Sequence, residues 1–277
     1  MSDRAGWITV RVFPGSERDA VMGALFNAGA QGVQEAGDAF ITHVPSQEVA
    51  NELLCAAMAA SPDARVETEP LPDVDWSERW KQSIRVQELG SLKVAPPWLA
   101  NDLDAATTIV IDPGMAFGTG EHATTRGVVR LMQQVVRPGD HVADLGAGSA
   151  VLAIAAVKLG ATNVAAIEID PDAIGNAEEN VERNGVAGRV RVIEGDAAVL
   201  LPLVAPVRLI IANIISSVLI DLLPVFASGL ADGGHAILSG ILFAEREMMV
   251  RTLNDSGWRV IAEDHEDAWW SATAARS

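Results

Sequence analysis

The stretch His141-Val-Ala-Asp-Leu-Gly-Ala-Gly-Ser-Ala150, continued by Val151-Leu-Ala-Ile-Ala-Ala-Val-Lys-Leu-Gly160, decides how this chain folds. Apolar and small residues run into Asp144, glycines follow at 146 and 148, and an apolar helical pattern starts at Ser149. Such a run reads as a buried strand, a tight turn with no room for side chains, and a helix whose free N–H groups face the turn. Glycines let a ligand approach the backbone, and a helix N-terminus favours electron-rich ligand groups. A second apolar strand follows at 163–169 and carries Glu168 near its end. A carboxylate there suits a ribose with two free hydroxyls. Gly146, Gly148 and Glu168 therefore predict a site for a nucleoside-containing cofactor.

Outward from this unit the pattern alternates. A helix is expected from Pro171 to about 184, a strand at 189–194 before Gly195-Asp196, and a strand at 208–212 ending in Asn213-Ile214. A helix at 217–227, a strand at 235–238, a helix at 244–255 and two closing strands at 258–262 and 269–274 complete the chain. Strands alternating with helices predict an α/β fold with a doubly wound sheet and right-handed crossovers. Ligands of such sheets lie at the carboxyl ends of the strands, where Asp144, Glu168, Asp196 and Asn213 all fall.

The first 69 residues follow a different plan. A strand at 7–13, a helix at 17–28 capped by Ser16, two strands around Gly37-Asp38, a helix from Ser46 to about 60 and a strand at 65–69 give the order βαββαβ. That is the ferredoxin-like α+β pattern, a common recognition module. Residues 70–91 read as a connector with a short helix capped by Asp75, Trp76 and Trp80 sharing one face. The larger domain is expected over 92–277. Within it, Asp112-Pro-Gly-Met-Ala-Phe-Gly-Thr-Gly-Glu-His-Ala-Thr-Thr125 lacks the lysine and spacing of a P-loop, and reads as a lid with apolar tips. His122 is taken as a loop residue there.

Composition narrows the classes. The formal net charge of −17 argues against nonspecific binding to nucleic acid or an anionic membrane and is compatible with a basic partner. Cys55 is the single cysteine, so no disulfide framework exists; its helical setting predicts a small core residue. No signal-peptide pattern opens the sequence and no apolar run is long enough to span a bilayer, so a soluble cytoplasmic protein is expected; separately, the chain is taken as a monomer. The five histidines show no metal-ligand spacing.

The choice of cofactor turns on two residues. The dinucleotide fingerprint needs glycine at the sixth position of GxGxxG, and Val151 stands there. Asp144, two residues before the first glycine, would repel a pyrophosphate but suits a sulfonium cation with an ammonium group. S-adenosyl-L-methionine fits better than NAD, and the antiparallel terminal hairpin agrees with a seven-stranded class I methyltransferase sheet.

With these residues in view, the sequence resembles the ribosomal protein L-eleven methyltransferase family (PrmA) over its whole length. The segments that carry the likeness are DPGMAFGTGEHATT, DLGAGSAVLAIAAVKLGA, IEIDPDAIGNAEENVERNGV, IIANIISSVL and LSGIL. The resemblance implies that Thr125, Gly146, Glu168 and Asn213 touch the cofactor and that Phe117 and Gly118 belong to the covering loop. Two positions depart from the family pattern: Ala150 stands for glycine and Glu168 for aspartate. Alanine is expected to exclude positive φ at 150.

Methyl transfer to an amine needs positioning and a neutral nucleophile. Deprotonating a lysine of pKa ~10.4 at pH 7 costs about 4–5 kcal/mol. A partly dry site lowers that cost and acceptors aim the lone pair at the methyl group, a role expected of the Asn213 side chain and the backbone at Ile214. The Asn-Ile-Ile-Ser that stands here is not the Asn-Pro-Pro-Tyr common in enzymes acting on base or glutamine nitrogens. The expectation is transfer to lysine or N-terminal amines of a basic large-subunit ribosomal protein. The alternatives are a methyltransferase of another protein's lysines or of a small amine, and a non-catalytic cofactor-binding module on the ribosome.

Overall fold

A computed structural model describes residues 7–30, 32–70, 84–112 and 120–277. The chain divides into two compact units, 1–83 and 84–277. In the first, β1 (Ile8–Phe13), α1 (Arg18–Asn27), β2 (Gln34–Ala36), β3 (Ala39–Val44), α2 (Gln47–Ala60) and β4 (Arg65–Pro70) follow in the expected order. The strands pair antiparallel as β2-β3-β1-β4, the ferredoxin-like arrangement. Val10, Val12 and Phe40 from the sheet pack on Val21 and Leu25 of α1 and on Leu53 of α2.

Two local expectations fail in this unit. Ser16 does not cap α1: its N–H and Oγ donate to the Asp63 carboxylate at 3.1 and 3.5 Å, and Glu17 holds the cap position without a side-chain bond. A carboxylate 47 residues away outcompetes the local bond. Cys55 is exposed. The buried stripe of α2 runs through Ala50, Leu53 and Ala57, and Cys55 falls on its outer side.

The second unit opens with a three-stranded sheet, β5 (Gln87–Leu89), β6 (Leu92–Ala95) and β7 (Thr108–Val110). It therefore begins inside the stretch expected as connector; Trp76 and Trp80 lie outside the described residues. Then come α3 (Ala123–Val135), β8 (His141–Leu145), α4 (Val151–Lys158), β9 (Asn163–Glu168), α5 (Pro171–Arg183), β10 (Val190–Glu194), α6 (Ala197–Val204) and β11 (Val207–Asn213). After them, α7 (Ser216–Gly229), β12 (Leu230–Leu242), α8 (Arg246–Asp255), β13 (Trp258–Glu266) and β14 (Trp269–Arg276) complete the chain. The seven-stranded sheet runs β10-β9-β8-β11-β12-β14-β13, with β14 antiparallel to both neighbours and the first five strands parallel. This is the doubly wound class I methyltransferase sheet.

β8, β9 and β11 are buried along nearly their whole length, as strands covered on both faces must be. The point of reversal in strand order lies between β8 and β11, so the ends of these two strands flank the crevice. Two asparagines of the α5 segment tie β7 and its exit to this body. Asn184 accepts the Val110 N–H at 2.8 Å and donates to its carbonyl at 2.7 Å, a two-point pairing like that of a neighbouring strand. Asn180, fully buried, accepts the Asp112 N–H (3.0 Å) and donates to the Ser149 carbonyl (3.2 Å). Among the described residues no helix is long and apolar enough to cross a membrane.

Candidate cofactor and methyl-transfer site

The turn after β8 is laid on the end of β9. The Gly146 and Ala147 N–H groups both donate to the Ile167 carbonyl, at 2.9 and 3.1 Å. Gly146 has φ +70°, and a Cβ on it would meet the Ile214 side chain at 2.6 Å, so β11's exit and this turn touch only because position 146 is glycine. Ala150 caps α4 with φ +64° and ψ +18°, in the left-handed region that alanine was expected to exclude. It is fully buried, and its carbonyl accepts the Ile154 N–H at 2.9 Å. The turn needs this conformation, and alanine adopts it at a strain of roughly 1–2 kcal/mol.

Glu168 closes the other side. Its Oε2 accepts the Gly148 N–H at 2.8 Å, and Oε1 accepts those of Ile169 (2.8 Å) and Asp170 (2.9 Å). The extra methylene relative to aspartate lets the carboxylate fold back onto the turn while it still lines the crevice. Asp144 does not line it. Its carboxyl is fully buried beneath the turn, and among the described residues neither oxygen has a hydrogen-bond partner. Burial pushes it up to about 7; the Ala153 N–H, short of a hydrogen bond, draws it down, and Glu168 adds repulsion.

The crevice has two connected compartments that share Gly146, Ile169 and Ile214. The smaller, about 250 Å³, is lined by Thr125, Gly146, Gly148, Glu168, Asn213 and their neighbours. Thr125 presents a buried Oγ1 with no hydrogen-bond partner among the described residues. The larger, about 400 Å³, is walled by Ile169, Ala197, Ile215, Val218 and Leu222, with Asp196 at its edge. Asp196 also caps α6, accepting the Ala198 N–H at 2.8 Å. Among the described residues, two carboxylates and no lysine or arginine line the pair of compartments.

Four of the sequence candidates therefore meet in the smaller compartment besides Gly148: Thr125, Gly146, Glu168 and Asn213. Asp196 stands at the larger, and Asp144 sits behind both. Ile214 lines both with its side chain, but its carbonyl lies against Gly240, where a Cβ would come within 2.5 Å, so Asn213 supplies the polar atoms there. Phe117 and Gly118 lie outside the described residues. His122 caps α3, its Nδ1 accepting the Thr124 N–H at 3.4 Å. Sequence reasoning missed the apolar wall; its only local signal was Ile169, a β-branched residue placed between two acids.

The architecture has close counterparts. Residues 26–277 match the family described as "Ribosomal protein L11 methyltransferase (PrmA)". This chain belongs to the ribosomal protein L11 methyltransferase family. A relative of that name from Pelotomaculum thermopropionicum is 40% identical over 223 residues, covering 80% of this chain and 71% of the relative. One from Thermus thermophilus is 39% identical over 201 residues, covering 73% and 77%. The crystal structure of a ribosomal protein L11 methylase from Lactobacillus delbrueckii subsp. bulgaricus superposes with a TM-score of 0.62 at 31% identity, covering 70% of this chain and 99% of that one.

Members of this family use S-adenosyl-L-methionine, and the crevice fits it on its own chemistry. Among the described residues the Thr125 hydroxyl has no partner and the lining has carboxylates but no cation, which suits a polar ligand atom and a sulfonium, and the apolar compartment suits a flat base.

Proposed function

We propose that this chain is an S-adenosyl-L-methionine-dependent methyltransferase of lysine and N-terminal amines of ribosomal protein L11. Residues 1–69 would grip that basic substrate and 84–277 would carry the cofactor. The observation that supports the transfer step is the Asn213 amide at the end of β11, lining the same compartment as Thr125 and Glu168.

When bound, the cofactor supplies a methyl group on a sulfonium, open to in-line displacement by an amine. Thr125 and Glu168 would hold its polar groups, with the Glu168 carboxylate toward the ribose hydroxyls. Ile169, Val218 and Leu222 would enclose the base and keep water from it. Asn213 Oδ1 would accept a hydrogen from the incoming amine and aim its lone pair. Among the described residues no lysine or arginine lines the crevice to oppose an approaching ammonium, and a site poor in water disfavours the charged form, so the amine gives its proton to solvent at lower cost before transfer.

The test is label transfer from methyl-labelled S-adenosyl-L-methionine to purified ribosomal protein L11, with cofactor affinity measured by calorimetry. The expected result is label on amino nitrogens, with Asn213→Ala lowering turnover far more than cofactor affinity. Cofactor binding without any transfer would reduce the chain to a binding module. An equal loss of turnover and affinity in Asn213→Ala would remove its role with the amine.

A further inference from the structure

Thr124 is a neighbour of the site that lines neither compartment. It is almost fully buried in the first turn of α3. Its Oγ1 accepts from Asn213 Nδ2 at 3.2 Å and lies 2.7 Å from His122 Nδ1. The Thr124 N–H also donates to that nitrogen, at 3.4 Å, so Nδ1 serves as an acceptor. The Thr124 hydroxyl hydrogen then goes to Nδ1, and Oγ1 can only accept from Asn213. That polarity decides which end of the Asn213 amide is spent on protein and which remains for a ligand.

The other side of Thr124 is fixed to the sheet. Its carbonyl accepts from Ser239 Oγ at 3.4 Å, and Ser239 Oγ pairs with Ser271 Oγ at 2.7 Å, linking β12 and β14 to the start of α3. Trp269 packs edge-on to the His122 ring, with centroids 4.9 Å apart. An amide held at one end by a hydroxyl anchored on three elements has little freedom to turn over.

We propose that Thr124 is a positioning residue for methyl transfer: its hydroxyl, polarised by His122, holds the Asn213 amide with Oδ1 toward the reacting amine. The donor and acceptor ends of a carboxamide are nearly the same shape, so packing alone does not choose between them; a hydroxyl whose hydrogen is already committed does. With the amide reversed, its NH2 would face the amine's hydrogens and the acceptor would be lost.

The proposal rests on Asn213 being the amine's acceptor, and its test keeps the two apart. The full chain is assayed with methyl-labelled S-adenosyl-L-methionine and ribosomal protein L11. Thr124→Val keeps the shape and removes the hydroxyl. It is expected to lower kcat about tenfold, with cofactor Kd changed by less than about twofold. Thr124→Ser should restore most of the loss, and adding Thr124→Val to Asn213→Ala should cost nothing further. Thr124→Ala takes its place should Thr124→Val fail to fold. Normal kcat in the hydroxyl-free variant beside a slow Asn213→Ala overturns the proposal, and so does a loss that serine does not rescue or that adds to Asn213→Ala. Normal kcat in Asn213→Ala instead overturns the acceptor reading itself.

Discussion

Glu168 accepts the Gly148 N–H at 2.8 Å, so the carboxylate that ends β9 holds the turn that ends β8. It couples the two halves of the cofactor crevice through one side chain. Glu168→Ala removes a ligand-facing charge and leaves three N–H groups without their acceptor. Hydrogen bonds to charged groups contribute about 1.5–3 kcal/mol each. Calorimetry should show cofactor affinity reduced at least about tenfold, with Glu168→Asp intermediate. Unchanged affinity in Glu168→Ala would remove it from the ribose.

Asp144 predicts an inverted pH dependence. Its carboxyl holds a proton in the folded chain up to about pH 7, because burial raises it from 3.8. The folded state thus binds a proton that the unfolded state releases. Stability from this group is full below about pH 4 and is lost as pH rises toward 7. Asn matches the neutral acid in shape, so Asp144→Asn should equal the parent near pH 4 and exceed it by up to about 4 kcal/mol at pH 8. Urea unfolding of both proteins at the two pH values reads the difference.

Ala150→Gly should stabilise the second unit. Relief of the left-handed strain is worth roughly 1–2 kcal/mol, and the added freedom of glycine in the unfolded chain takes back about 0.4–1 kcal/mol. The net gain, roughly 0.8 kcal/mol, should raise Tm by about 2–3 °C. A lower Tm would show that the alanine methyl contributes packing that outweighs its strain.

Asn180→Leu keeps the volume and removes a buried amide that serves Ser149 and Asp112 together. Removing these two hydrogen bonds should cost about 2–4 kcal/mol, seen as a lower denaturation midpoint. Cofactor affinity should fall with it, because Ser149 belongs to the turn. A stable variant with normal affinity would mean that water replaces the amide.

The separate cores of the two units predict that a fragment beginning at residue 84 folds and binds the cofactor. It should fail to methylate ribosomal protein L11 if the first 69 residues grip that substrate. Full methylation by the fragment would remove that role.

Most of the larger sheet is legible in the sequence because parallel strands covered on both faces are continuous apolar runs, as 141–145, 163–168 and 207–213 are. α6 is not legible: Pro202 lies within it, and proline argues against a helix unless its neighbours remove the conflict. β12 begins at Leu230 and runs through Gly233-Gly234, whereas the sequence pattern places that strand only at 235–238. Of the site's polar residues, Glu168, Asp196 and Asn213 follow from their strand ends, whereas Thr125, in α3, comes only from the family resemblance. Thr124 and Ser239 follow from neither, because their partners are 89 and 115 residues distant and only folding brings them together. Ala150 was misread for a different reason: sequence gives the intrinsic cost of a conformation, and the surrounding turn overrides it.

The asparagine pairing at Val110 has a consequence for how the molecule meets its own kind. β7 is an outer strand of its sheet, and outer strands are templates for aggregation. Asn184 offers Val110 an acceptor and a donor, as a peptide group would, and so occupies the place that another chain would take. One side chain of the α5 segment thus guards an edge, and shortening it to alanine would open that edge to intermolecular strand addition.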